Sequence, residues 1–176
     1  MLLTAELPAE EFLRRYYSDA FAAACRDCPG YGRRWCCPPL PDVDLRTYST
    51  ALIVAFRLVT TADDPVVTAA PLLRRYTALL LEIERRSGGR AFGFCGMCRL
   101  CRVCTRTSGR PCRHSAIVRP PLEAFGFDLG LVADELLGMP LQWAPDADGN
   151  RNLLFIGAVF HTLPSAKNFI GPVFVN

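Results

Sequence analysis

The chain has 176 residues, 51% of them hydrophobic and 21% charged, with no low-complexity or long single-sign run; this excludes bulk disorder and suffices for one domain, 1–176, to bury a core without disulfide staples. The net charge of +3 is too small to imply a polyanion partner, and no apolar stretch approaches the roughly 20 residues of a membrane-spanning helix. Met1 to Leu13 lacks the basic-then-apolar order of a signal peptide, so a cytoplasmic location without membrane contact is expected.

From Pro8, the residues Phe12, Leu13, Tyr16, Tyr17, Ala20, Phe21 and Ala24 recur at helical spacing, with Glu10 and Glu11 in the first turn. This pattern predicts one helix leading into a first cysteine block, Cys25 to Pro39, whose glycines and prolines make it a loop. Ala51 to Val59 is almost continuously apolar and predicts a strand covered on both faces. Asp64-Pro65 reads as the cap and first turn of a helix with the apolar face Leu72, Leu73, Tyr76, Leu79, Leu80 and Ile83, ending at Arg85 to Gly88; Pro71 shifts its start or kinks it. A short strand, Arg90 to Phe94, leads into a second cysteine block, Cys95 to Cys112. Beyond Pro120-Pro121, Asp128 caps a helix carrying Leu131, Val132, Leu136 and Leu137, closed by Gly138 and Pro140, and Leu153 to Phe160 is a second candidate central strand. Strands alternating with helices predict an α/β fold: a small mixed or parallel sheet with flanking helices, right-handed crossovers and two cysteine-rich metal-binding loops.

The nine cysteines carry the chemistry. Clustered thiols in a reducing compartment indicate metal or redox chemistry more than disulfides, and an odd count argues the same way. Cys95, Cys98, Cys101 and Cys104 stand at spacings of three, followed by Cys112. A Cys-x-x-Cys-x-x-Cys loop presents three thiolates to three irons of a cubane, and a more distant cysteine takes the fourth. Zinc sites draw instead on two separated pairs or on Cys/His pairs, and here the two histidines, His114 and His161, lie far apart. The spacing therefore favours a 4Fe-4S cluster, one or two per chain, with zinc as the alternative. His114 follows Cys112 closely and is read as a partly exposed histidine hydrogen-bonded near the loop.

In the first block, the pair Cys25-x-x-Cys28 is shared with thioredoxin-like redox motifs, but a third cysteine before proline strengthens a cluster reading. Adjacent residues are expected to point apart, so of Cys36 and Cys37 the proline neighbour, Cys37, is the predicted ligand. Tyr31 and Trp35 either shield a cluster or serve ordinary packing. Between Glu84 and Glu123 there are nine arginines and no acid, charge suited to offsetting an anionic cluster. No RNA- or DNA-binding motif accompanies it, so nucleic acid is not an expected partner. Asp27, Glu123 and Asp128 are the nearby acids, with capping and surface roles preferred over acid–base work.

Taken together the motifs resemble the DUF2284 family of predicted metal-binding proteins. The matching segments are Cys28-Pro-Gly-Tyr31-Gly32, Cys37-Pro-Pro, Cys98-x-x-Cys101-x-x-Cys104, Gly109-Arg-Pro111-Cys112-Arg113 and Arg119-Pro-Pro-Leu-Glu123-Ala-Phe-Gly126-Phe-Asp128, spread over residues 25 to 160. Pro121-Leu122 departs from the family's Ser-Met, and Cys36 and Cys95 are additional to its pattern. The resemblance implies the ligands Cys25, Cys28, Cys37, Cys98, Cys101, Cys104 and Cys112. Seven thiols do not divide into two sets of four: a closed cluster accompanies a three-cysteine site, or Cys36 or Cys95 completes a second closed cluster, or a single cluster leaves spare thiols. Electron transfer to a redox partner protein is the expected function. The alternatives are an enzyme whose three-cysteine cluster leaves an iron open to a small anionic substrate, for dehydration or desulfuration chemistry, and a zinc-stabilised binding module. No phosphate-binding glycine loop, serine nucleophile elbow or metalloprotease motif is present.

Overall fold

The computed structural model describes residues 1–61, 65–94, 98, 100–142 and 144–171. Its elements are β1 (Leu2–Pro8), α1 (Ala9–Tyr16), α2 (Asp19–Ala24), β2 (Thr50–Thr60), α3 (Pro65–Ser87), β3 (Arg90–Phe92), α4 (Leu129–Leu131) and β4 (Arg151–His161). They form a four-stranded sheet in the order β1-β2-β4-β3. Strand β2 pairs with β4 from Thr50 opposite His161 to Thr60 opposite Arg151.

All three strand pairings are antiparallel, which corrects the expectation of a mixed or parallel sheet. The expectation took continuous apolarity in β2 and β4 as a sign of parallel pairing; burial on both faces is the actual cause. Leu52, Val54, Phe56 and Val159 pack with Leu73, Tyr76, Leu80 and Ile83 of α3. The alternate positions Ala51, Ile53, Ala55, Ile156 and Phe160 pack with Phe12 and Tyr16 of α1, Phe127, and Val132 just beyond α4. A period-2 strand between two helical layers needs apolar residues at every position. The crossover idea survives in altered form: β2 and β3 both run antiparallel to β4, so they are parallel to each other across it, joined through α3.

Packing is close where α3 meets the sheet. Tyr76 donates its buried hydroxyl to Val54 O at 2.6 Å, and Gly157 is paired with Val54 on the neighbouring strand. A Cβ at Gly157 would lie 2.6 Å from Phe92 O, 2.8 Å from Leu80 Cδ1 and 2.9 Å from the Tyr76 hydroxyl, so only glycine admits the phenol. Helix α3 runs through Pro71 without ending; its expected cap, Asp64, lies outside the described residues.

Two local expectations change. Strand β1 was not foreseen; it is a short edge strand whose pairing with β2 completes it. The predicted single helix from Pro8 to Ala24 is broken, with Tyr17 extended between α1 and α2. Tyr17 bridges to Phe127, Ser18 N–H bonds Gly126 O at 2.8 Å, and Asp128 N–H bonds Tyr16 O at 2.8 Å. Gly126, at φ 87°, has Tyr17 and Ala22 so close that any Cβ would meet them at 2.9 and 3.1 Å. Tertiary hydrogen bonds therefore override helical periodicity here. Asp128 caps α4 as expected, its Oδ1 accepting from Leu131 N–H at 3.0 Å, and the helix continues as a π-helical turn, Val132–Leu136.

Candidate metal centre

The two cysteine blocks meet. Arg34, in the first, donates to Cys98 O at 2.8 Å. In return, Arg106 from the second donates to Arg34 O at 2.7 Å, to Cys37 O and to Pro39 O at 2.7 Å. Trp35 Nε1 reaches Thr105 Oγ1 at 3.3 Å and Arg110 O at 3.1 Å, and the Arg106 guanidinium lies 5.2 Å from the Trp35 ring centroid. A planar guanidinium can bridge several carbonyls at once, which an ammonium does poorly. Arg106→Ala is accordingly expected to lower the stability of the metal-free protein by about 2 kcal/mol, with Arg106→Lys recovering only part, as read by urea unfolding.

The turn between Cys104 and Cys112 follows from its own sequence. Thr105–Ser108 form one turn of 3-10 helix, ended by Gly109 in the left-handed region at φ 66°. The Gly109 and Arg110 N–H groups return to Arg106 O and Thr105 O at 3.0 and 3.1 Å, and Thr105 Oγ1 donates to Pro111 O at 2.8 Å. The chain thus doubles back and brings Cys112 beside Cys104. Past the block, Arg119 forms an ion pair with Glu84 near the end of α3, tying this loop to the sheet layer.

Cys36, Cys98, Cys101, Cys104 and Cys112 line one recess, together with Trp35, Thr105, His114 and Val118. Its free space is about 10 Å³, roughly one water's worth, so convergence of thiols rather than a preformed void suits it to a metal. Among the described residues, no group of three Cys, His, Asp or Glu stands close enough to hold a single ion. The donor chemistry of the recess nevertheless fits a thiophilic group: five thiols, one imidazole and no carboxylate. The Cys98 thiol is pushed up by its hydrogen bond with Cys36 and by burial. Cys36 is also raised, with its contact to Cys37 the largest cause. Both must therefore lose protons on ligation.

Adjacent thiols were expected to diverge, but Cys36 Sγ and Cys37 Sγ are 3.8 Å apart, within a turn closed by Cys37 N–H to Arg34 O at 3.0 Å. Cys36 is 5% exposed and faces the recess; Cys37 does not line it. Cys25 and Cys28 lie elsewhere. Cys25 Sγ donates to Glu123 O at 3.7 Å and is raised by burial, then by the neighbouring Cys28 and Glu123. Among the described residues Glu123 Oε2 is buried with no hydrogen-bond partner, and burial pushes that carboxyl up to about 7. Cys95 falls outside the described residues. His114 lines the recess and its N–H lies 3.4 Å from Cys112 Sγ. His161 is remote, buried at the end of β4 with Nε2 3.3 Å from Glu6 Oε1.

Against known proteins, a family model matches residues 16–160, most of the chain, including both cysteine blocks. The chain belongs to DUF2284, a family of predicted metal-binding proteins. No curated protein and no solved structure matches the chain. The matched DUF2284 span encloses the Arg34, Trp35 and Arg106 clasp. Trp35 was expected to shield a cluster or pack, but the sequence does not single out the joining of the two loops by Arg34 and Arg106. Its one signal was the run of arginines without acids: guanidinium groups lacking carboxylates find backbone carbonyls instead.

Proposed function

We propose that the protein is an iron–sulfur protein of the 4Fe-4S type that transfers electrons to a partner protein, its core ligands being Cys98, Cys101, Cys104 and Cys112. The observation that carries this reading is that these four thiols, joined by Cys36 from the other block, line one recess. The spacing Cys98-x-x-Cys101-x-x-Cys104 favours a cubane over zinc, because three thiolates on so short a loop suit three separate irons. When bound, such a cluster supplies a one-electron reservoir. The chain's own residues do the rest: Arg34 and Arg106 hold the loops in register, and Trp35 covers one side of the recess. The arginines of the second block offset anionic charge and favour the reduced state.

A second group is supported by Cys25 and Cys28, which stay outside the recess beside Glu123. Together with Cys37 they are the family-pattern cysteines left outside the recess. As placed they do not form a single-ion site, so a group held by all three would require them to close on it. It would then offer one metal position to an anionic substrate, with the nearby Glu123 carboxyl, pushed up to about 7, suited to proton transfer. Anaerobic purification followed by iron, sulfide and zinc analysis tests both readings. Brown protein with about four irons and four sulfides per chain is expected for one cluster, and about eight of each for two. Colourless protein holding stoichiometric zinc would overturn the iron–sulfur reading.

A further inference from the structure

Next to the cysteine recess lies a larger one, about 350 Å³, within the range of roughly 300 to 1,000 Å³ typical of small-molecule sites. Arg102, Cys104, Thr107, Ser108, Arg110 and Arg113 are among its walls. Cys104 and Thr105 line both recesses, so the two spaces share one wall. Arg102, Arg110 and Arg113 have no carboxylate partner among the described residues, and none is available in the acid-free stretch around them. Among the described residues, Arg110 alone of the three makes a side-chain hydrogen bond, to Ser108 Oγ at 3.2 Å. The hydroxyls are turned inward on the backbone, Thr107 onto Cys104 O at 2.9 Å and Ser108 onto Thr105 O at 2.9 Å. The guanidinium groups are therefore the free donors of this cavity.

Three unpaired guanidiniums around a concave site match oxyanions, since the planar fork pairs with carboxylate or phosphate oxygens, and a concave wall concentrates the field. We propose that this recess binds a small molecule through a phosphate or carboxylate group, held by Arg102, Arg110 and Arg113 against the wall that contains Cys104. An occupant there touches Cys104, which also lines the cysteine recess, so binding and the state of that recess are linked. The binding claim is independent of the metal reading. Metal content is measured on the same preparations, so that the failure of one is distinguishable from the failure of the other.

The test is calorimetric titration of the purified full chain with inorganic phosphate and, separately, with succinate, at constant ionic strength set by chloride. Saturable binding of at least one is expected, and Arg102→Gln with Arg113→Gln should weaken it at least about tenfold. Neither side chain makes a hydrogen bond among the described residues, so this double variant should fold normally, as its melting curve will report. Arg74→Gln with Arg75→Gln, the same charge change on the exposed side of α3, should leave the affinity unaltered. Phosphate preferred over succinate assigns a phosphate group, and the reverse a carboxylate; either supports the site. Failure of both to saturate, or equal weakening by the α3 pair, overturns it. A short single-stranded oligonucleotide binding far more tightly than either anion, with loss in the same double variant, also overturns it, in favour of a nucleic-acid surface.

Discussion

Cys98→Ser combined with Cys101→Ser is expected to reduce iron in the anaerobically purified protein from about four per chain to near zero if the recess holds the only cluster. With two clusters, the same variant should keep about half. The effect is large because two of four core ligands go at once, and serine is a poor soft-metal donor. Folding should survive, since neither Cys98 nor Cys101 belongs to either apolar cluster that packs the sheet; far-ultraviolet circular dichroism checks this. The complementary pair Cys25→Ser with Cys28→Ser should spare the recess iron entirely, because those thiols do not line it. Cys36→Ser against Cys37→Ser then asks which neighbour serves the recess. The buried, recess-facing Cys36 is expected to matter more. If instead the Cys25 and Cys28 pair strips all the iron while Cys98 and Cys101 prove dispensable, the assignment of the core ligands is wrong.

Gly157→Ala should be the most damaging single substitution in the sheet, lowering stability by about 3 to 5 kcal/mol in urea unfolding. Its added methyl would stand 2.6 Å from a backbone carbonyl, Phe92 O, which cannot rotate away, and 2.9 Å from the Tyr76 hydroxyl. Relief requires β3 to shift against β4 and α3 to lift off the strands, which breaks the Tyr76 bond to Val54 O and opens the cluster around Leu80 and Ile83. Tyr76→Phe separates the two contributions. It removes only the hydroxyl and should cost about 1 to 2 kcal/mol, mostly for the carbonyl left without that donor. Near-equal effects of the two substitutions would mean that the steric argument fails and the hydrogen bond dominates.

Much of the layer structure was legible without coordinates. The apolar runs at Ala51 to Val59 and Leu153 to Phe160 lie within the two central strands, the face Leu72 to Ile83 within α3, and Asp128 caps a helix where its position says it should. These features arise from period and local capping, which act over a few residues. Strand direction does not: a central strand needs apolar residues on both faces whichever way its neighbours run. The break at Tyr17 was likewise invisible, because the hydrogen bonds that compensate for the lost helical ones come from Tyr16 to Asp128 and Ser18 to Gly126, distant in sequence.

For the cysteines, the sequence by itself determined that there are two thiol-bearing loops, that the second has cubane-type spacing, and that acids are missing around it. Family membership agrees with the metal-binding expectation. Only the tertiary structure decided that the loops are joined, through Arg34 and Arg106, and that Cys36 lines the same recess as Cys98. Spacing along a chain limits which atoms can reach one another within a loop, whereas the approach of two loops depends on hydrogen bonds to backbone carbonyls. Every residue type offers the same carbonyl, so no sequence pattern marks it.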